Sequence, residues 1–151
     1  MSKSITLSIN RLPHAYGLSL PSYMSENASG MDLCAAVKEG IELKQGEYRL
    51  LPTGIAVAIP VGYEGQVRPR SGLAFRHGIT ILNSPGTIDS DYRGEIKVLL
   101  INFGFKSYMI QRGERIAQLV IHAVTQVEVS EVNELPASTR GKGGFGHTGS
   151  F

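Results

Sequence analysis

A chain of 151 residues has the size of one domain, because single hydrophobic cores are commonly built from about 100–200 residues. Apolar residues make up 42% and charged residues 19% of the sequence, a balance that excludes general disorder. The net charge is only +2, so any nucleic-acid-binding surface would have to come from local clustering. The lone cysteine, Cys34, cannot form an internal disulfide, and nothing here demands an oxidising compartment.

The first residues of the chain do not resemble a targeting segment. Polar and apolar residues alternate over residues 4–9, whereas a secretory signal contains a continuous apolar run. No stretch approaches the roughly 20 apolar residues that a membrane-spanning helix needs. We therefore expect a soluble, cytoplasmic protein with no membrane partner.

Apolar and polar residues alternate with a period of two along most of the chain, which is typical of β-strands. The predicted strands cover residues 5–9, 31–37, 55–59, 79–82, 96–101, 119–121 and 127–129. Proline and glycine turn signals separate them, and one short helix fits residues 71–76, after Pro69. We predict an all-β domain, a sandwich or a barrel with one short helix, over residues 1–135.

The tail, residues 136–151, is rich in glycine and has no apolar periodicity. It also contains Arg140, Lys142, Phe145 and His147. One interpretation is a frayed terminus. The other is a flexible arm that becomes ordered over an anionic ligand, with backbone N–H groups and cations facing the anion.

Two segments in the first half of the chain carry polar residues that are unusual in strands. Asp32 is the one carboxylate in a small, apolar segment, where a surface role and a role near a metal both remain open. Farther along, Arg68 and Arg70 flank a proline, and Ser71 begins the predicted helix. Guanidinium groups and the unpaired N–H groups of a first helical turn match phosphate oxygens.

Two later segments carry a second set of polar groups. Residues 83–95 are typical of a hairpin connection, yet they include Asn83, Asp89 and Tyr92. An amide can pair with a nucleobase edge, a tyrosine ring can pack on a sugar or base, and an aspartate can hold a water for attack. Gln118 opens an otherwise apolar strand after Arg112.

Taken in order and spacing, these four segments and the tail resemble the five sequence motifs of the trimeric dUTPases, which hydrolyse dUTP to dUMP and pyrophosphate. The resemblance covers about residues 29–149. Its most specific strings are residues 69–74, 86–95 and 140–146. The sequence departs from common family residues at Thr87, where valine is also frequent, and at His147, where serine is frequent.

The resemblance implies a jelly-roll-like β-barrel with one short helix and a glycine-rich C-terminal arm, assembled as a homotrimer with three active sites between subunits. It implies that Asn83 and the backbone of Gly86, Thr87 and Ile88 read the uracil edge. Tyr92 would pack under the deoxyribose. The residues that would hold the phosphates are Arg70, Ser71, Gly72 and Gln118.

The resemblance also assigns the chemistry. Asp89 would orient and deprotonate the water that attacks the α-phosphorus. Mg²⁺ would bridge the three phosphates, and Asp32 would act on it from the outer shell, through water. The arm of another subunit, residues 136–151, would close the site: Phe145 would stack on the uracil, and the γ-phosphate would meet Arg140, Gly146, His147 and Thr148. In a cell, such an enzyme keeps uracil out of DNA and supplies dUMP for thymidylate synthesis.

Other functions are alternatives to dUTP hydrolysis. A dCTP deaminase shares the implied fold and trimer but needs a different base-reading loop, and residues 89–92 match the hydrolase. A bifunctional enzyme and a non-catalytic nucleotide-binding or regulatory protein are further alternatives. A nucleic-acid partner is not expected, because no exposed aromatic residues are interleaved with the arginines. We expect surface ion pairs or subunit contacts for Arg112, Glu114 and Arg115. We expect Asp91, Arg93 and Glu95 to stabilise the hairpin or the trimer axis.

Overall fold

The computed structural model describes residues 5–147, which are mostly β-structure with one α-helix, α1 (Ser71–His77), and a single 3₁₀ turn (Pro13–Ala15). In chain order the strands are β1 (Ser8–Arg11), β2 (Met31–Cys34), β3 (Ile41–Leu43), β4 (Tyr48–Ala58), β5 (Tyr63–Arg68), β6 (Ile79–Ile81), β7 (Gly86–Ile88), β8 (Glu95–Asn102), β9 (Tyr108–Ile110) and β10 (Arg115–Ala123). The all-β prediction with one short helix is confirmed.

The strands form three antiparallel sheets around one core. The order is β1-β4-β8-β6 in the first sheet and β2-β10-β5-β7 in the second, and β3 pairs with β9 in the third. Among residues 5–147 this pairing leaves edge strands and does not close into a barrel. All three sheets contribute apolar side chains to a single buried cluster that includes Leu33, Leu43, Leu51, Ile96, Leu100, Ile110 and Leu119.

Several predicted strands coincide with observed ones. Residues 55–59, 79–82, 96–101 and 119–121 fall largely within β4, β6, β8 and β10. Alternate residues of β8 are buried, as expected for a strand with one face on the core. The first prediction, residues 5–9, overlaps β1 only in part, and β2 ends earlier than the predicted residues 31–37.

The prediction of a strand at residues 127–129 is wrong for the isolated chain. The last strand ends at Ala123, and residues 124–147 contain neither helix nor strand. Val127 and Val129 are 77% and 90% exposed. Alternation alone does not make a strand, because a strand also needs a neighbour to accept its backbone hydrogen bonds.

The end of α1 is anchored tightly to the loop after β8. Gly78 caps the helix at φ +68°, and a Cβ there would lie 2.4 Å from the backbone nitrogen of Gly104. The carbonyl of Gly78 accepts the N–H of Phe103 at 2.9 Å. Fully buried Asn102 accepts the Gly104 N–H and donates to the Leu43 carbonyl. These contacts fix the position of the C-terminal end of α1.

Within the part of the chain that the structure describes, α1 is too short to cross a membrane, and no other helix is long and apolar enough to do so.

Candidate active site

A row of polar side chains crosses the second sheet. Gln118 on β10 lies opposite Asp32 on β2 and opposite Arg68 on β5. Directly opposed residues of antiparallel strands point to the same face of a sheet. The three side chains therefore share the face of the sheet opposite to the buried side chains of Leu33 and Leu119.

The Asp32 carboxylate is held between two arginines. Arg70 Nε lies 3.1 Å from Oδ1 and Arg115 Nη1 lies 3.2 Å from Oδ2, and the Asp32 side chain is 17% exposed. Arg70 also donates from Nη1 to the backbone carbonyl of Arg115 at 3.0 Å. The ion pair of Arg115 is the kind of role expected for it from the sequence. Both guanidinium groups are thus held in place before any ligand binds.

Gln118 is fixed against the loop that leads into α1. Its Nε2 donates to the carbonyl of Pro69 at 3.0 Å. Gly30 gives it room, because a Cβ on Gly30 would lie 2.3 Å from the Gln118 Oε1. The first N–H to donate within α1 is that of Ala74, to the Arg70 carbonyl at 3.1 Å, so the N–H groups of the preceding residues have no partner in the helix.

These residues make one site, which we call the arginine cluster: Asp32, Arg70, Ser71, Gly72, Arg115 and Gln118. Two guanidinium groups, an amide, an exposed hydroxyl and backbone N–H donors together offer hydrogen bonds to an anion. Nearby, burial raises the pKa of the Cys34 thiol and the Asp32 carboxylate acts in the same direction, against smaller opposing effects of Arg115 and Arg70. The thiol therefore stays protonated near neutral pH.

The hairpin region forms a second group around a separate cavity of about 440 Å³, which we call the hairpin cavity. It is lined by Leu50, Thr87, Ile88, Asp89, Tyr92, Glu95 and Lys97. The Tyr92 hydroxyl donates to the Glu95 carbonyl at 2.9 Å. A Cβ on Gly94 would lie 2.4 Å from that hydroxyl, so the ring packs directly against glycine. Arg93 holds the turn by donating to the Ser90 and Tyr92 carbonyls.

The two carboxylates of the hairpin cavity differ in their surroundings. Glu95 is 15% exposed, contacts His14 Nε2 at 2.7 Å and accepts the Gly54 N–H at 2.8 Å. Asp89 is exposed, and within residues 5–147 it makes no ion pair. Of the two, Asp89 is the carboxylate that is available to a water or a ligand.

Asn83 lies at the other end of β7. Gly86 is paired with Val67, and the Asn83 Nδ2 lies 3.4 Å from where a Cβ of Gly86 would be. Asn83 is exposed. Its amide can therefore both donate to and accept from a ligand placed beside the β7 backbone.

Within one chain, the arginine cluster and the hairpin cavity lie some distance apart. Gln118 pairs with Arg68, whereas Ile88 pairs with Gly65, which lies three residues earlier on β5. Three residues at about 3.4 Å and two strand spacings of about 4.8 Å separate the Cα atoms of Gln118 and Ile88 by roughly 14 Å. Asp89 follows Ile88 and lies at the end of β7 that is farther from the row.

The tail residues join neither group in the described structure. Arg140, Phe145, Gly146 and His147 are exposed, and the hydrogen bonds of the described tail connect residues 138–147 to one another. Arg140 Nε, for example, donates to the Gly143 carbonyl at 2.7 Å. Thr148, the other predicted tail contact, lies outside the described residues.

Part of the lining of the hairpin cavity lies outside the sequence motifs. Lys97 and Leu50 contribute to the wall although neither belongs to a motif. The available signal was the alternation of β8, in which Glu95 and Lys97 share a face opposite the buried Ile96 and Val98. That pattern shows that Glu95 and Lys97 share one face of β8, but it does not show that this face lines a cavity.

No group of three or more histidine, cysteine, aspartate or glutamate side chains able to hold a metal ion is present in residues 5–147. A metal here would need most of its ligands from a bound phosphate and from water.

Comparison with known proteins agrees with the geometry. A family model described as dUTPase matches residues 17–149. The chain is 56% identical over 152 residues to the deoxyuridine 5'-triphosphate nucleotidohydrolase of Methylocella silvestris, covering 99% of this chain and 95% of that one.

Solved structures show the same similarity. The dUTPase of Staphylococcus bacteriophage 80alpha with dUpNHpp superposes with a TM-score of 0.86 at 29% identity, over 97% of this chain and 99% of that chain. A point mutant of the dUTPase from S. aureus phage phi11, described with a structural Mg(II) ion, has a TM-score of 0.78 at 24% identity, over 88% of this chain and 100% of that chain. At this identity, the similarity supports a shared fold and nothing more. The chain therefore belongs to the dUTPase family.

Proposed function

We propose that this dUTPase hydrolyses dUTP to dUMP and pyrophosphate by attack of a water at the α-phosphorus, with Asp89 orienting that water. The observation that carries the proposal is the state of the carboxylates. Asp32 and Glu95 are occupied by cations and backbone N–H groups, whereas Asp89 is exposed beside Tyr92 in the hairpin cavity. An unpaired carboxylate is the group that can accept a proton from a bound water.

The uracil is read by Asn83 and the backbone of β7. Because β7 is an edge strand, some of its N–H and C=O groups point away from β5 and can pair with a base. Cytosine presents a donor where uracil presents an acceptor, so the pairing fails and polar groups of the site are left unsatisfied. A tight hairpin also excludes the thymine methyl group.

Tyr92 packs under the deoxyribose and leaves no space for a 2′-hydroxyl. Its ring is held by the bond to the Glu95 carbonyl and by contact with Gly94, so it cannot readily swing aside. A fixed aromatic wall discriminates by shape, since admitting the larger sugar would require breaking that hydrogen bond.

The phosphates are bound by the arginine cluster, through Arg70, Ser71, Gly72 and Gln118. Arg70 is already oriented by Asp32, and Gln118 by the Pro69 carbonyl. Ordering these side chains before binding reduces the entropy lost when the triphosphate arrives.

The donor set fits a magnesium ion that is bound mainly by phosphate oxygens and water. Mg²⁺ usually keeps several waters and needs few protein ligands, and no direct ligand cluster is present in the described chain. Each Asp32 oxygen contacts one arginine and has a further lone pair with which to accept a hydrogen bond from a metal-bound water. When bound, the ion supplies charge neutralisation and a single geometry for the phosphate chain.

Asp89 contributes only part of the rate. General-base catalysis supplies about 10²–10⁴-fold, and a carboxylate is a weak base. Positioning of the water and electrostatic stabilisation by the arginine cluster supply the remainder.

The complete site forms between copies of the chain, as a homotrimer. Three observations support this assembly. In one chain the Cα atoms of Gln118, in the arginine cluster, and Ile88 lie roughly 14 Å apart, and Asp89 lies beyond Ile88. Val127 and Val129 alternate with polar residues and are exposed, as for a strand that pairs with another copy. The tail makes its described hydrogen bonds only to itself.

The tail, residues 136–151, acts as an arm that closes the site of a neighbouring copy. Phe145 is fully exposed and free to stack on the uracil, while Arg140, Gly146, His147 and Thr148 meet the γ-phosphate. The glycines allow close approach of the backbone, and ordering them costs entropy that only the full triphosphate offsets.

The test is a product analysis with dUTP and dCTP in the presence of Mg²⁺, together with light scattering to determine the mass in solution. We expect pyrophosphate and dUMP from dUTP, nothing from dCTP, and a particle of three chains. Ammonia released from dCTP would identify a deaminase instead. Tight binding of dUTP without any product would identify a non-catalytic nucleotide-binding protein.

A further inference from the structure

A third arginine, Arg76, lies beside the arginine cluster and outside the sequence motifs described above. Arg76 is four residues after Gly72 on α1, and residues so spaced lie on the same face of a helix. Its Nε lies 3.4 Å from the Gly72 carbonyl, and its Nη2 lies 2.9 Å from where a Cβ of Gly72 would be. The guanidinium therefore folds back over the backbone that the proposed function assigns to phosphate.

Arg76 shares a cavity with the arginine cluster. The cavity has a volume of about 380 Å³, and its lining includes Arg70, Gly72, Arg76, Tyr108, Glu114 and Arg115. Three arginines thus line one space that is open to solvent. A site with this many planar donors matches a polyphosphate better than a single phosphate group.

The charge of Arg76 is not compensated in the described chain. The carboxylate of Asp32 is taken by the other two arginines. Glu114, the carboxylate that lines the cavity, accepts the Tyr108 hydroxyl and the Gln111 N–H. Within residues 5–147, Arg76 makes no ion pair of its own.

We propose that Arg76 binds the pyrophosphate portion of the substrate and of the product, and so helps to select triphosphates. The inference rests on the proposed function. The reacting α-phosphate has to lie near the water on Asp89, so the arginine cluster holds the rest of the phosphate chain. A cation on the outer wall of that cluster then meets the β- and γ-phosphates, which leave together as pyrophosphate.

The test compares the wild-type protein with Arg76→Gln and Arg76→Lys. Calorimetric titration measures the Kd of magnesium pyrophosphate and of dUMP, and steady-state assays give KM and kcat for dUTP. We expect Arg76→Gln to weaken pyrophosphate binding about tenfold and to raise the KM for dUTP by a similar factor, with dUMP binding changed less than about twofold. Arg76→Lys keeps the charge without the planar fork and should fall between the two.

Arg49→Gln is the matched control, because Arg49 is an exposed arginine on β4 outside both groups. It should leave all the constants unchanged. The inference is overturned if Arg76→Gln binds pyrophosphate within twofold of wild type, or if dUMP binding weakens as much as pyrophosphate binding. A wild-type protein that does not hydrolyse dUTP would defeat the proposed function alone, since the pyrophosphate titration needs no turnover.

Discussion

The arginine cluster and the hairpin cavity are built in opposite ways. In the cluster, Asp32 is held between Arg70 and Arg115, and Gln118 is bonded to a backbone carbonyl. In the hairpin cavity, Asp89 is exposed and makes no ion pair among residues 5–147. One group is pre-arranged within the chain, and the other presents a free carboxylate.

This difference suits two different tasks. Binding a charged phosphate chain benefits from donors that are already oriented, because little reorganisation is needed when the charge arrives. Moving a proton from a water needs a carboxylate that is not already neutralised by a cation. Loss of the free carboxylate should therefore reduce kcat with little change in KM, while changes to the arginine cluster should raise KM as well as reduce kcat.

The largest expected effect is that of Asp89→Asn. The amide keeps the size of the side chain but cannot accept the proton, so we expect kcat to fall about 10²–10⁴-fold with KM changed little. Steady-state assays of pyrophosphate release give both constants. Binding of a non-hydrolysable dUTP analogue, measured by calorimetry, should remain near the wild-type value.

Asp91→Asn is the matched control, because Asp91 is an exposed aspartate on the same turn that does not line the hairpin cavity. It should retain most of the activity. Equal losses in both variants would show that the charge of the turn matters and that Asp89 has no special role.

Removal of residues 138–151 should have the next largest effect. Base stacking on an aromatic side chain contributes about 1–3 kcal/mol, and Arg140 is lost as well, so kcat/KM should fall roughly 10–100-fold. The core lies outside the deleted segment, so the thermal melting curve and the mass in solution should not change. A truncated protein with the kcat/KM of the full chain would show that the tail is not an arm.

The sequence predicted the class of fold because the alternation of apolar residues is a local property. The predictions did not include β3 and β9, which have three residues each, β5, where Gly65 interrupts the apolar face, or β7, where Gly86 and Thr87 look like turn residues. The alternation also predicted a strand at residues 127–129 that has no partner within the chain. Pairing is decided by distant parts of the chain, or by another chain, and the pattern of one segment does not contain it.

The sequence also predicted the chemical groups of the site more readily than their arrangement. The motifs identified Asp32, Arg70 and Gln118, which the fold brings together. They did not show that Asp89 lies well away from that cluster in the same chain. Nor did they identify Arg76, because its importance comes from folding back over Gly72, a contact that spacing alone suggests but does not establish.

A matched pair of glycine substitutions should separate the two groups kinetically. In Gly94→Ala the new Cβ would lie 2.4 Å from the Tyr92 hydroxyl and displace the ring, whereas in Gly30→Ala it would lie 2.3 Å from the Gln118 Oε1 and displace the amide. The loss of one hydrogen bond, about 0.5–1.5 kcal/mol, corresponds to a change of roughly 2–10-fold.

We expect Gly30→Ala to raise KM, because the amide that it displaces holds phosphate in both the ground state and the transition state. Gly94→Ala should weaken the selection of dUTP over UTP, because the tyrosine ring no longer blocks the 2′-hydroxyl. Competition assays with the two nucleotides measure the selectivity. Equal losses of selectivity in the two variants would contradict the prediction that the arginine cluster and the hairpin cavity have different kinetic roles.

The smallest expected effect concerns the wall of the cavity next to the arginine cluster. Burial raises the pKa of Tyr108 to about 12, and the hydrogen bond that it donates to Glu114 acts in the same direction. The folded protein therefore favours the protonated phenol. This stabilisation is complete below about pH 10, the ordinary pKa of tyrosine, and is lost as the pH rises through about 12.

Tyr108→Phe removes both the hydrogen bond and the titrating group. Near pH 8 we expect it to lower the free energy of unfolding by about 1 kcal/mol, because Glu114 keeps its bond to the Gln111 N–H. Denaturant unfolding at increasing pH should show the difference between wild type and Tyr108→Phe shrinking above about pH 10, since only the wild type then has to ionise a half-buried phenol beside a carboxylate. Tyr48→Phe, at an exposed position, should show less than about 0.5 kcal/mol at any pH. A difference that stays constant from pH 8 to pH 12 would contradict the raised pKa of Tyr108.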